Sequence, residues 1–349
     1  MKLIIADSSI VVFIVNFILF YSRMAQKHDI VCLSHREDPD GIVSAVLIKN
    51  LFQAQIHLVD YDDFLIELEK IIQNNELKKL IISDLSINSN IQSKFLSLIE
   101  NLSQQNISIL HIDHHKINDD FKQKLNKLNV ELINIETDCS SALIFNHFRN
   151  KFQPFFSFLT ACASITDNLE NGPIAKNITC KHEKMYLYLN SSLLWFHVRK
   201  NLLNHSELYK IVNDLSSKNL PHQILDNFSS LSSYLNDLEN SYSNIEKNVI
   251  EYKNFNCFEI FDGKFSDTAE KTLRTSGKNF SLVFKKIKKD LSIELVILSN
   301  NNVQQDLGLI TNSICSKFGG AGGGDKTKSA AIVSQKNFKS FLLELDLSL

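Results

Sequence analysis

No C-x-x-C pair occurs among the six cysteines, Cys32, Cys139, Cys162, Cys180, Cys257 and Cys315, which are scattered through 349 residues. That excludes a zinc knuckle or redox dithiol of the usual spacing. The length and the wide spacing also argue against an oxidised secreted scaffold. No charge of one sign dominates: 37 Lys and Arg stand against 39 Asp and Glu, a net charge of -2. A polycationic tail is thereby excluded, while a local basic groove for nucleic acid stays open. Glycine and proline are scarce, at 10 and 4, yet five of the glycines lie between Gly319 and Gly324. The length suits roughly two domains at about 150 residues each. It is enough chain to bury a core without metal or disulfide staples.

A long apolar run is present only at the start. From Ile10 the chain reads IVVFIVNFILFY, 12 residues that include Asn16 and follow Asp7. A membrane span needs roughly 20 apolar residues, and no small-x-small cleavage site follows. Residues 1–23 are therefore expected to be an upstream extension, with Met24 the true start of a cytoplasmic protein. An N-terminal membrane anchor and a buried N-terminal element are the alternatives.

From Asp29 the sequence alternates short β-rich runs with helical ones: DIVCLS, GIVSAVLIKNLF, IHLVDY, FLIELEKIIQN, KKLIISD, IQSKFLSLIENL, ISILHID, VELINI, SSALIFNHF, FFSFLTACASI. Strands apolar on both faces and separated by helices are the pattern of βαβ units with a parallel sheet. In such sheets function lies beyond the carboxyl ends of the strands, and here those ends are acidic. The first runs into Ser34-His35-Arg36-Glu37-Asp38-Pro39-Asp40-Gly41, the third into Asp84, and the fourth into His111-Ile112-Asp113-His114-His115. The helix near Phe155 ends at Asp167. Carboxylate and neutral imidazole suit Mn²⁺, Mg²⁺ or Fe²⁺. So many acidic groups converging on one rim require a counter-cation, and a carboxylate shared by two ions is the arrangement of a two-metal hydrolytic site.

Asp113-His114-His115 after an apolar strand resembles the motif that names the DHH phosphoesterases, a family that includes RecJ-like exonucleases, oligoribonucleases and cyclic-dinucleotide phosphodiesterases. His35, Asp38 and Asp40 resemble its first motif, Asp84 its second and Asp167 its fourth; the spacing of His35 from Asp38, with two residues between, departs from the family's. The resemblance implies two divalent cations, Mn²⁺ first and Mg²⁺ as the alternative. His35 and Asp38 would hold one, Asp40, His114 and Asp167 the other, and Asp84 would bridge them. His115 would face the substrate phosphate, and Asp113 would fix a histidine tautomer. The implied activity is a metal-dependent phosphodiesterase acting on short single-stranded oligonucleotides or dinucleotides. The alternatives are a RecJ-like exonuclease on longer single-stranded DNA or RNA, another phosphoester or pyrophosphate hydrolase, and a non-catalytic nucleotide-binding derivative.

The expected fold is α/β and two-lobed: a parallel-sheet catalytic domain over 24–180, a helical linker over 181–255 and a smaller α/β domain over 256–349. In the linker, Glu183–Phe196 and about Leu225–Tyr252 read as helices. The second has apolar residues at steps of three and four, a stripe for its own lobes or, as the alternative, for a homodimer. Lys151, Arg199 and Lys200 are either contacts to nucleic acid or solvated surface. In the last domain NFSLVFKKI, SIELVILS and KSAAIV are strand candidates and LGLITNSICSKF a helix. Between the last two, Gly319–Gly324 exposes backbone N–H groups in a form that suits an anion-binding nest, and it does not satisfy the Walker pattern. This stretch resembles the glycine-rich substrate motif of the DHH-associated domain, which implies Gly322, Gly323, Gly324 and Lys326 as substrate contacts. The family's usual histidine after the glycines is absent, with Asp325 near its place, and Lys326 or Lys328 would supply the positive charge instead. Arg274 is a further candidate phosphate contact.

Overall fold

A computed structural model describes residues 29–224, 228–260, 268–269, 271–273, 277–287, 291–300, 303–324 and 326–349. The apolar N-terminal run, Arg274 and Asp325 lie outside the described residues. Among those described, no helix is long and apolar enough to cross a membrane. The chain divides into two compact units at Phe228/Ser229.

The first unit is built on five strands: β1 (Ile30–His35), β2 (Gln55–Val59), β3 (Lys79–Ser83), β4 (Ser108–Asp113) and β5 (Glu131–Asn134). They form an all-parallel sheet of order β2-β1-β3-β4-β5. The crossovers are α1 (Pro39–Phe52), α2 (Phe64–Ile72), α3 (Ser89–Gln104) and α4 (Asp119–Lys127). Downstream come α5 (Ser140–His147), α6 (Pro154–Thr166), α7 (Pro173–Thr179), α8 (Lys184–Lys200) and α9 (His205–Ser216). Alternation along the strands feeds two cores. Cys32, Ile81, Leu110 and Ile112 pack with α1, α5, α6, α8 and α9 on one face. Val31, Leu33, Leu80, Ile82 and Ile109 pack with α2, α3 and α4 on the other. Chain order reverses between β1 and β3, and the crevice at such a switch point is where open α/β sheets bind ligands.

The strand and helix series expected from Asp29 onward is present. Three α-helices of the first unit escaped the sequence reading: α4, in a stretch read only as polar, α7 and α9. The stretch read as a linker is divided between the units. Leu187, Leu194 and Val198 of α8 and Leu208, Ile211, Val212 and Leu215 of α9 belong to the first unit's core. Arg199 and Lys200 lie over the rings of Trp195 and Phe196 on their own helix, at 5.1 and 5.7 Å.

The second unit is a smaller mixed α/β fold. The long helix α10 (Phe228–Asn248) leads into β6 (Ile250–Glu251) and β7 (Phe255–Glu259). Then follow β8 (Phe280–Ile287), β9 (Ser292–Ser299), α11 (Leu307–Phe318), β10 (Ala321–Gly324), β11 (Lys328–Ser334) and α12 (Phe338–Ser348). The sheet order is β10-β11-β9-β8-β7-β6, with β7 and β8 parallel and the other pairs antiparallel. On α10, Ile245 is buried against Phe258, Ile260 and Val283, whereas Leu235 is exposed.

The glycine run differs from the open nest expected of it. Gly319 is a left-handed C-cap of α11, φ 70°, and Gly320, Gly322 and Gly323 have no positive φ. From Ala321 to Gly324 the chain is an edge strand paired with β11. The glycines at 320 and 322 serve close packing: a Cβ on Gly322 would lie 2.7 Å from Cys315 Sγ and 2.8 Å from Ala331 Cβ.

Candidate metal centre

The first motif is shaped by helix initiation. Asp38 is the N-cap of α1, its Oδ1 accepting the Gly41 N–H at 3.0 Å, and Pro39 follows at the first helical position. Both features are favoured there, the cap by about 1 kcal/mol. The other oxygen, Oδ2, lies 3.0 Å from His35 Nδ1 at the end of β1. His35 Nδ1 is also 3.8 Å from Asp84 Oδ2. Asp84 directly follows β3 in a left-handed conformation, φ 57°, which turns the chain at the sheet edge.

Asp84 also faces the fourth strand. Its Oδ1 lies 3.4 Å from His114 Nε2 and accepts the Ser140 hydroxyl at 3.1 Å. His114 Nε2 lies 3.6 Å from Asp167 Oδ2, at the C-cap of α6. Asp40 is as deeply buried as Asp84. Its oxygens accept the Ser140 and Ser141 N–H groups, at 2.7 and 3.0 Å, so a carboxylate caps the start of α5 where the helix dipole favours it. Asp40, Asp167 and the Cys139 thiol each bring a ligand atom within 4.8 Å of the others.

The sequence-derived site residues, joined by Cys139, thus fall into linked groups: His35, Asp38 and Asp84; Asp84, Asp113, His114 and His115; Asp40, Cys139 and Asp167. Asp113 lies against His115, with Oδ1 2.7 Å from Nδ1. The Asn134 amide braces both residues by donating to the Asp113 and His115 carbonyls at 2.8 Å. His111 stands apart from these groups. It is fully buried near Phe95, and burial holds its imidazole below the ordinary range, as a neutral core residue. Sequence reasoning passed over Asp60, Glu37 and Cys139. Asp60 immediately follows β2, so the rule that placed Asp84 at a strand's carboxyl end applied to it equally.

The electrostatics are those of crowded, buried carboxylates and imidazoles. Burial and then the neighbouring Asp84 push the Asp40 carboxyl up to about 7. Burial and Asp40 raise Asp167 well above the carboxylate range. Burial alone would lower His114, but Asp84 and Asp167 outweigh it and bring the imidazole up to about 10. Asp84 Oδ2, Asp113 Oδ2, Asp167 Oδ2 and His35 Nε2 are buried with no hydrogen-bond partner. Such atoms are costly unless paired. Clustered carboxylate oxygens and imidazole nitrogens fit hard or borderline divalent cations.

Residues 29–166 match the family model described as the DHH family, N-terminal domain. The first unit therefore contains a DHH-family domain, and the matched stretch carries His35, Asp38, Asp40, Asp84, Asp113, His114 and His115. Among solved structures, a DHH domain described as a member of the S1p family of ribosomal proteins is similar at a TM-score of 0.64 and 13% identity. The match covers 91% of this chain and 86% of that one. The pGpG-specific phosphodiesterase PggH from Vibrio cholerae is similar at a TM-score of 0.56 and 14% identity, over 91% of this chain and 98% of that one. RecJ in complex with Mn²⁺ from Thermus thermophilus is similar at a TM-score of 0.56 and 11% identity, over 95% of this chain and 53% of that one. At these identities the likeness is one of fold. No curated protein matches the chain.

Proposed function

We propose that the chain is a phosphodiesterase that cleaves short single-stranded oligonucleotides or dinucleotides at two divalent cations, Mn²⁺ or Mg²⁺, on the β1–β3 rim. The observation that carries this reading is the place of Asp84. It lies between His35–Asp38 and His114–Asp167, with Oδ2 buried and without a hydrogen-bond partner. In this reading His35 and Asp38 hold one cation, Asp40, His114 and Asp167 the other, and Asp84 is shared. When bound, the cations would acidify a water and offset charge on the phosphoryl oxygens.

Asp113 takes the Nδ1 side of His115, so that Nε2 is the nitrogen that would donate to a phosphate oxygen. Burial would lower the His115 pKa, but Asp113 outweighs it and raises it, which favours the donating form. A short substrate is supported by the comparisons: the likeness spans nearly the whole length of the pGpG phosphodiesterase but about half of RecJ. Product analysis with Mn²⁺ across dinucleotides, cyclic dinucleotides and longer single strands tests the assignment. Preferential cleavage of long strands would overturn it.

Cation binding should also appear as stability. An ion bound only by the folded state at about 100 times its Kd adds about 2.7 kcal/mol, or roughly 5 °C or more in Tm for a unit of this size. Millimolar Mn²⁺ should therefore raise Tm and excess chelator reverse it, in differential scanning fluorimetry. An unchanged Tm would count against the buried site.

In the second unit, Gly322, Gly323, Gly324 and Lys326 are proposed to contact the nucleotide through the β10 edge. A Cβ on Gly323 meets nothing within 4 Å, so Gly323→Val should fold normally. If the strand edge faces substrate, KM should rise roughly tenfold, the equivalent of about 1.4 kcal/mol, with Mn²⁺ binding retained. Wild-type KM would remove the strand from the assignment.

A further inference from the structure

We propose that Asp60, at the carboxyl end of β2, is a positioning residue that fixes the orientation and tautomer of His35. The inference rests on the two-cation reading above. The two nitrogens of the His35 ring face opposite ways. Nδ1 points to the inner cluster, 3.0 Å from Asp38 Oδ2 and 3.8 Å from Asp84 Oδ2. Nε2 points outward to Asp60 Oδ1 at 3.5 Å.

His35 is only 7% exposed, so the outward nitrogen has little access to water and no closer protein partner. A neutral imidazole carries one proton and one lone pair. When Nδ1 gives its lone pair to a cation, the proton must sit on Nε2, and Asp60 is the acceptor placed to receive it. Carboxylates that hold the remote nitrogen of a metal-bound histidine fix its ring and raise its basicity.

Asp60 is itself anchored. Oδ1 accepts the Tyr61 N–H at 2.7 Å, and the Asp60 carbonyl accepts the Asp63 and Phe64 N–H groups at 3.2 and 2.9 Å. The Arg36 guanidinium stays 4.0 Å from Oδ2 because it is committed to Asp63 at 2.6 Å. The Tyr61 ring flanks His35 at 5.2 Å between centroids. Glu37 completes an outer trio with His35 and Asp60, all within 4.8 Å. That trio offers a rival occupant, a cation of its own, and the experiment separates the two.

Mn²⁺ titration calorimetry on the full chain compares wild type with Asp60→Ala, Asp60→Asn and Glu37→Gln. Asn keeps an oxygen for the Tyr61 N–H, which preserves the turn if Ala disturbs it. Wild type should bind two ions. In Asp60→Ala one of the two affinities should fall by roughly 10- to 100-fold, the usual cost of losing such a partner, while the other stays within threefold. Asp60→Asn should weaken the same ion by less, and Glu37→Gln should leave both affinities unchanged. With Co²⁺ in place of Mn²⁺, the visible spectrum should change in the Asp60 variants and not in Glu37→Gln, a signature that a purely structural role would not produce. Unchanged affinities in both Asp60 variants overturn the proposal. A third Mn²⁺ in wild type, lost in Asp60→Asn and in Glu37→Gln, also overturns it and makes the outer trio a cation site. No Mn²⁺ binding by wild type overturns the two-cation reading itself.

Discussion

Asp84→Asn should leave a folded protein that no longer turns over. Asn tolerates the left-handed backbone at this position, where φ is 57°. Its amide oxygen can still accept the Ser140 hydroxyl that Asp84 Oδ1 now accepts at 3.1 Å. What is lost is the negative charge between His35 and His114, on which both proposed cations depend. We expect kcat to fall about 10³-fold or more, roughly 4 kcal/mol of transition-state stabilisation. The Mn²⁺-dependent rise in Tm should disappear with it. Steady-state kinetics at saturating Mn²⁺, with circular dichroism to confirm folding, decides the matter. Activity within threefold of wild type would show that Asp84 is not shared.

Gly41→Ala should damage the fold and the site together. Gly41 lies in the first turn of α1, where the helix passes directly under the end of β1. An added Cβ would overlap the His35 carbonyl and lie 2.7 Å from its carbon and 2.8 Å from the His35 Cβ. Backbone cannot step aside as a flexible side-chain tip does, so either α1 or His35 must shift. Forcing extra atoms into a close-packed interior costs about 1–3 kcal/mol, which should lower Tm by several degrees. The same shift moves His35 away from Asp38 and Asp84, so Mn²⁺ affinity should drop roughly tenfold. Fluorimetry and calorimetry on the one variant test both halves. Wild-type Tm with wild-type Mn²⁺ affinity would mean the helix start has slack that the packing does not show.

The parts of the fold that the sequence made legible are those whose signal is local. In KLIISD and SILHID a strand's apolar run leads directly into an acidic residue, so element and candidate site residue were read in one motif. The helix after β1 was legible from the apolar spacing of GIVSAVLIKNLF, while its start two residues earlier, at Pro39 with Asp38 as cap, came from the structure. α4 escaped because DDFKQKLNK buries only Phe121 and Leu125, too few apolar positions to stand out from a polar loop. The glycine run was legible as unusual and misleading as to form. Glycines that suit a nest equally suit an edge strand packed against Cys315 and Ala331, and sequence does not reveal which neighbour arrives.

By itself, then, the sequence determined a first unit of βα repeats, a smaller α/β unit after it, and the candidate acidic and imidazole groups at strand and helix ends, because hydrophobic periodicity acts over a few residues. Only the tertiary structure decided which of these groups meet. The β2-β1-β3-β4-β5 order sets His35 beside Asp84, and Asp40 caps the start of α5 by accepting the Ser140 and Ser141 N–H groups from 100 and 101 residues away. It also decided that Asp60 stands behind His35 and that His111, two residues from Asp113, belongs to the core instead. These pairings follow from parallel strand order and close packing between distant segments, which no local pattern in the chain encodes.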